Sequence, residues 1–149
     1  MPPTLVLPPT FALIAGFAMA CLDRFVPIAD LINSPWHWMA LVPATAGLLL
    51  TLWAAVGFIR ADTPLEPYKQ ASALVTSGPY RFSRNPIYLG MALLLAGFWL
   101  WLGSLSPGLV LPAFVVAIDR RFIRREEAHL EERFGERFRA YRASVRRWL

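Results

Sequence analysis

Apolar positions gather into four runs separated by polar, turn-rich connections. The first runs from about Leu5 to Leu22 and the second from about Trp38 to Ile59. The third runs from about Pro86 to Leu102 and the fourth from about Leu105 to Ile118, with Pro112 inside it. At a helical rise of about 1.5 Å per residue the second run is long enough to cross a ~30 Å hydrocarbon core. The third and fourth are short for independent spans. The LGSLSPG stretch between them, Leu102 to Gly108, is a tight-turn signal, so the two are predicted to form a helical hairpin. Such short helices fit a membrane if tilted or partly submerged, or if one or both are re-entrant.

After Ile118 the pattern changes. Residues Asp119 to Trp148 are charged, with both signs interspersed, while Leu130, Phe134, Phe138, Tyr141, Val145 and Trp148 recur at spacings of four and three. That is the signature of an amphipathic helix, and Gly135 is expected to kink or split it. The segment either lies on the membrane surface or folds back over the 60–85 loop. The expected fold is therefore all-α. It is an integral membrane bundle of about four transmembrane helices, the third and fourth a short hairpin, plus a C-terminal amphipathic cytoplasmic helix. One domain spans the 149 residues.

Composition agrees with the membrane class. Hydrophobic residues make up 56% of the chain and charged residues 17%, with a mean hydropathy of +0.45. The net charge is +5, and in so apolar a chain it points to a membrane surface and its lipids rather than to nucleic acid. Charge placement orients the bundle. Arg24 is the only Lys or Arg in the Asp23–His37 connection, whereas Arg60, Lys69, Arg81 and Arg84 lie between the second and third runs and the remaining arginines follow Asp119. The positive-inside rule makes the 60–85 loop and the tail cytoplasmic, together with the N-terminus. Residues 1–20 carry no Lys or Arg, so the first run is expected to be a retained helix rather than a signal peptide, although AMAC, Ala18 to Cys21, loosely resembles a lipoprotein cleavage site.

Two clusters stand out from this frame. In SGPYRFSRNPIYLG, Ser77 to Gly90, Asn85 and Pro86 read as the cap and first residue of the third helix. Arg81 and Arg84 read as anchors facing lipid phosphates, and Tyr80 and Tyr88 as interfacial aromatics. Taken together, two arginines ahead of a helix N-terminus make a site for a carboxylate or phosphate. In the second cluster Glu126 and Glu127 follow the fourth run, where they are either helix-surface charge or acids for an ammonium or sugar hydroxyls. Acids and bases so placed suit a zwitterionic ligand. Cys21 is the single cysteine, and His37 and His129 are isolated, so no metal site is expected.

LVTSGPYRFSRNPIYLG, Leu74 to Gly90, followed by EEAHLEERFGERFRAYRASVRRW, Glu126 to Trp148, resembles the isoprenylcysteine carboxyl methyltransferase family and the related phospholipid N-methyltransferases. The resemblance implies an integral membrane enzyme using S-adenosylmethionine, with a cytoplasmic cofactor pocket built from approximately residues 60–149. It implies that Leu74 and Val75 contact the cofactor through backbone and that Tyr80 lines the pocket. The family's Arg-His-Pro-x-Tyr is matched by Arg84, Asn85, Pro86, Ile87 and Tyr88, and its glutamate pair by Glu126 and Glu127. Asn85 stands where the best-known members have His, and Asn does not titrate. The family's substrate-binding arginine, counted one turn back from the glutamate, falls on Phe122, with Arg121 adjacent. Glu126 and Arg121 are thus the candidate catalytic residues.

The chemistry fits without a nucleophilic side chain. A sulfonium donor carries its own activation, so the protein aligns donor and acceptor and excludes water. Arg81 or Arg84 would take the cofactor carboxylate and Glu126 or Glu127 its ammonium or ribose. An amine acceptor needs deprotonation, with Glu126 the helper. The expected partners are membrane lipid and a lipophilic or small-molecule methyl acceptor, in a bacterial inner membrane. The competing readings are a non-enzymatic membrane protein with a basic lipid- or partner-docking tail, and a membrane reductase of the related superfamily.

Overall fold

Helices α1 (Pro8–Phe25), α2 (Leu41–Arg60), α3 (Pro86–Leu102) and α4 (Val110–Ile118) run alternately up and down in a computed structural model that describes residues 7–62 and 72–149. A short 3-10 turn, Trp36–Ala40, leads into α2. Pro86 occupies the first position of α3, where a missing N–H costs nothing. Gly103 ends that helix in the left-handed region, φ 84°, and its N–H donates to the Trp99 carbonyl at 3.0 Å. The turn Ser106–Leu109 then reverses the chain into α4, so the expected hairpin forms, and the boundaries of α3 fall where the sequence placed them.

Beyond α4 the rod does not stop. It passes through a π-helical turn, Asp119–Ile123, into α5 (Arg124–Phe134). Gly135, at φ 50° and ψ −120°, breaks it, and α6 (Glu136–Ser144) follows at a new angle. The expected amphipathic tail is therefore two helices, and its last residues, 145–149, are not helical. Among the described residues there is no strand, only an isolated antiparallel bridge between Asp30 and Ser104.

The most extensive helix–helix contact joins α2 to α3, and small residues permit it. A Cβ on Gly90 would lie 2.1 Å from Thr51 Oγ1 and 2.6 Å from the Gly47 carbonyl oxygen, and one on Gly97 would lie 2.8 Å from the Ala40 carbonyl. Close backbone approach of this kind is how apolar helices associate where the hydrophobic effect offers little. Gly90→Ala must push the helices apart. The expected cost is about 1–3 kcal/mol, read as a lower unfolding midpoint in detergent; an unchanged midpoint would contradict this packing.

Two cores lie at the same end of the bundle and along its inside. Met19, Ile118, Phe122 and Ile123 are buried between α1, α3, α4 and the π turn, with Tyr88 and Leu95 among them. Ala54, Tyr80, Phe138 and Tyr141 join α2, the turn before α3, and α6. The tail therefore folds back onto the start of α3, as one of the two sequence alternatives required. At the opposite end Ser104 Oγ donates to Asp23 Oδ1 at 2.6 Å and Leu31 N–H to the Gly103 carbonyl at 2.7 Å. Arg60, Arg81, Arg84 and the α5 and α6 arginines share the end that carries the tail. Lys69, counted with them in the sequence, and Leu5 lie outside the described residues.

The outward faces of α1 and α2 are apolar. Leu13 is 74% exposed, Phe17 73% and Val42 73%. By length and composition one helical stretch, Trp36–Arg60, is long and apolar enough to cross a membrane, with a mean hydropathy of 1.9 over 25 residues. Helix α3 is apolar but has 17 residues. Helix α4 has 9 before charge begins at Asp119. Among the described residues, one of the four expected spans meets both the length and the apolar composition by itself.

Candidate active site

The start of α3, the π turn and the first turn of α5 converge with the chain's last residues. Tyr88, one turn into α3, is buried, and its hydroxyl donates to Glu126 Oε1. Among the described residues no cation pairs with Glu126. Burial therefore raises its carboxyl to about 7, and the neighbouring charge of Glu127 adds to this while the Tyr88 bond opposes it.

Glu127 has the opposite environment. Arg84 donates from Nε and Nη2 to Glu127 Oε1 at 3.1 and 2.9 Å, and Arg147 donates to both carboxylate oxygens, at 3.2 and 2.5 Å. Burial alone would raise this carboxyl, but the hydrogen bonds and charges of Arg147 and Arg84 outweigh it and hold the pKa below the ordinary carboxylate value. Adjacent glutamates are thus driven apart, one towards neutrality and one to firm ionisation.

Arg84 does more than pair. Its Nη1 donates to the Val145 and Arg142 carbonyls at 2.5 and 3.1 Å, and its backbone N–H to the Arg146 carbonyl at 2.9 Å. Asn85 occupies the N-cap position of α3, but its side chain makes no cap bond. Its Nδ2 instead donates to the Arg147 carbonyl at 3.1 Å, and Ser83 Oγ donates to the same carbonyl at 3.2 Å. The predicted side-chain cap is thereby corrected: the tail offers that amide a better acceptor. Pro86 is fully buried beside it.

Tyr80 is buried, and Tyr141 donates its hydroxyl to the Tyr80 carbonyl at 2.7 Å. Burial, with the nearby Tyr141 and Glu126, pushes the Tyr80 hydroxyl far up, and burial lifts Tyr141 to about 12, so both act as neutral hydroxyls. Leu74 and Val75 pack on this cluster, and among the described residues their peptide groups have no hydrogen-bond partner. Arg81, which likewise has no ion-pair partner among the described residues, lines an open cleft of about 490 Å³ with Thr76, Tyr141, Ser144 and Val145.

Arg121 lies elsewhere. It is exposed, with its guanidinium 5.9 Å from the centre of the Phe11 ring on α1. Counting back one ordinary turn from Glu126 reaches Phe122, which is buried in the core, while Arg121 beside it turns outward to α1. The structure brings together Tyr80, Arg84, Asn85, Pro86, Tyr88, Glu126 and Glu127, with Leu74 and Val75 alongside Tyr80. Sequence reasoning missed Ser83, Asp119 and Arg147. The one available signal was the arginine pair Arg146-Arg147 before Trp148, which no local period singles out.

The chain matches the phospholipid methyltransferase family over residues 35–137. That stretch contains α2, α3, α4, the π turn, α5 and all of Tyr80, Arg84, Tyr88, Glu126 and Glu127. The chain belongs to this family, whose chemistry is methyl transfer. Over 63 residues, 42% of this chain, it is 41% identical to the whole of an uncharacterized protein of Haemophilus influenzae. No solved structure matches it.

Proposed function

We propose that this protein is an integral membrane methyltransferase that transfers a methyl group from S-adenosylmethionine to a lipophilic amine. The observation that carries the reading is Glu126: a carboxyl held by Tyr88, lacking a cation among the described residues and poised near neutral pH. A protonated amine cannot accept a methyl group. Glu126, ionised above about pH 7, takes that proton, and the Tyr88 hydroxyl fixes the direction in which it does so.

The residues fit the donor. A carboxylate without a cation among the described residues suits a cationic ligand, Tyr80 and Tyr88 supply aromatic walls, and the peptide groups of Leu74 and Val75, without a hydrogen-bond partner among the described residues, would bond a ring edge. Arg81 is the arginine available for a carboxylate. When bound, S-adenosylmethionine supplies the activated methyl group. Arg84, Asn85, Pro86 and Glu127 form the frame of this pocket.

An amine is favoured over a carboxylate acceptor. Arg84 and Arg147 are both spent on Glu127, and Arg121 faces the Phe11 ring, so none of these three is left for a substrate carboxylate. In this reading all four long apolar segments lie in the bilayer, the shorter ones tilted, with the 60–85 loop and the tail on the cytoplasmic face. The exposed apolar sides of α1 and α2 meet lipid, and the acceptor enters from lipid between helices. The test is transfer of labelled methyl groups by purified protein in membranes. Label is expected in lipids with a primary or secondary amine headgroup. Transfer confined to a prenylated-cysteine carboxylate, or no transfer, would overturn the reading.

A further inference from the structure

Arg147 lies in the non-helical stretch after α6, more than sixty residues from the start of α3, yet it ties the site's pieces together. Its Nη2 and Nε reach the two oxygens of Glu127 at 2.5 and 3.2 Å, and its Nη1 reaches Asp119 Oδ1 in the π turn at 3.0 Å. Its backbone carbonyl accepts from Ser83 Oγ and Asn85 Nδ2. On either side of it Val145 packs on the Tyr80–Phe138–Tyr141 cluster and Trp148 on the Tyr88–Phe122 core. Residues 145–148 thus form a strap across the start of α3, the π turn and the first turn of α5.

We propose that Arg147 is a positioning residue of the methyl-transfer site, which saturates Glu127 so that its neighbour Glu126 alone is left to act on ligand. The inference rests on the function proposed above. It adds a residue beyond the 35–137 stretch that defines the family match. The charge argument is specific. Glu126 is faced by Tyr88 from α3, by Tyr80 from the turn before it and by Glu127 on its own helix, while Arg84 and Arg147 reach it only through Glu127. A fork-shaped guanidinium can span both Glu127 oxygens and Asp119, whereas an ammonium cannot. Loss of Arg147 exposes Glu126 to a less compensated negative neighbour, and its ionisation becomes harder.

The experiment reads Glu126 directly in ligand-free protein, by infrared titration of the carboxyl band that Glu126→Gln removes. Arg147→Gln is expected to raise that midpoint by about one pH unit and to shift the acid limb of turnover upward with it. Arg147→Lys keeps the charge and therefore the midpoint, but loses the two-pronged grip, and the KM for S-adenosylmethionine rises about threefold with little change in kcat. An unmoved midpoint in folded Arg147→Gln overturns the proposal. If that variant does not fold, Arg147→Lys decides it, and a wild-type KM there overturns it. A wild type that transfers no methyl group defeats the proposed activity instead, and the infrared midpoint of Arg147→Gln still decides the link between Arg147 and Glu126.

Discussion

Glu126→Gln is expected to slow methyl transfer roughly a hundred- to ten-thousand-fold while making the protein more stable above pH 7. Both effects come from one feature. The carboxyl is half-buried beside Tyr88 with no cation among the described residues to offset it, so folding raises its pKa from the ordinary carboxylate range to about 7. A group whose folded pKa is raised binds its proton more tightly in the folded state. Its stabilising contribution is complete below the unfolded pKa and is lost as pH rises through about 7. At pH 8 the wild type therefore holds a half-buried charge with no cation beside it among the described residues, which the amide removes. Thermal unfolding at pH 5 and pH 8, paired with transfer rates, checks this. A variant that loses activity without gaining relative stability at pH 8 would show that Glu126 is not the strained base described here.

Arg84→Met is expected to destabilise the fold by about 3–5 kcal/mol. The Arg84 and Glu127 side chains are each only 10% exposed, so removing Arg84 strips two charge-assisted bonds from a buried carboxylate and leaves Arg147 as its remaining cation. The damage extends further than the pair. Arg84 also donates to the Arg142 and Val145 carbonyls, which lose their partner with it, and the tail's docking on the start of α3 weakens. Replacing both partners, Arg84→Met with Glu127→Leu, should recover only part of the loss, because Arg147 then loses Glu127 and the Arg142 and Val145 carbonyls still lack their donor. Denaturant unfolding of the four members of the cycle measures this. A loss below about 1 kcal/mol in the single variant would mean that the pair behaves as an exposed surface bridge.

The helices and their breaks were legible in the sequence because their causes are local. Pro86 and Gly103 mark the ends of α3, the Leu102–Gly108 turn forms the hairpin, and Gly135 divides the tail. The residues of the two family motifs lie together in the structure, where Tyr88 donates to Glu126. What could not be read depends on contacts between distant positions. No sequence period announces the π turn, and nothing local shows that Arg121, adjacent to the Phe122 on which the count from Glu126 falls, sits over Phe11. Asn85 carries the residue type of a helix cap, yet the carbonyl that its side chain bonds belongs to Arg147, 62 residues away. Glu126 and Glu127 look alike as letters. Which is driven towards neutrality and which is held ionised follows only from where Arg84 and Arg147 fold.

The most direct test of the methyltransferase site is titration calorimetry of purified, folded protein in detergent with S-adenosylmethionine. Saturable binding with one site per chain is expected, weakened in both Tyr88→Ala and Glu126→Gln. An absence of binding at millimolar concentrations would contradict it, as would binding that neither substitution alters.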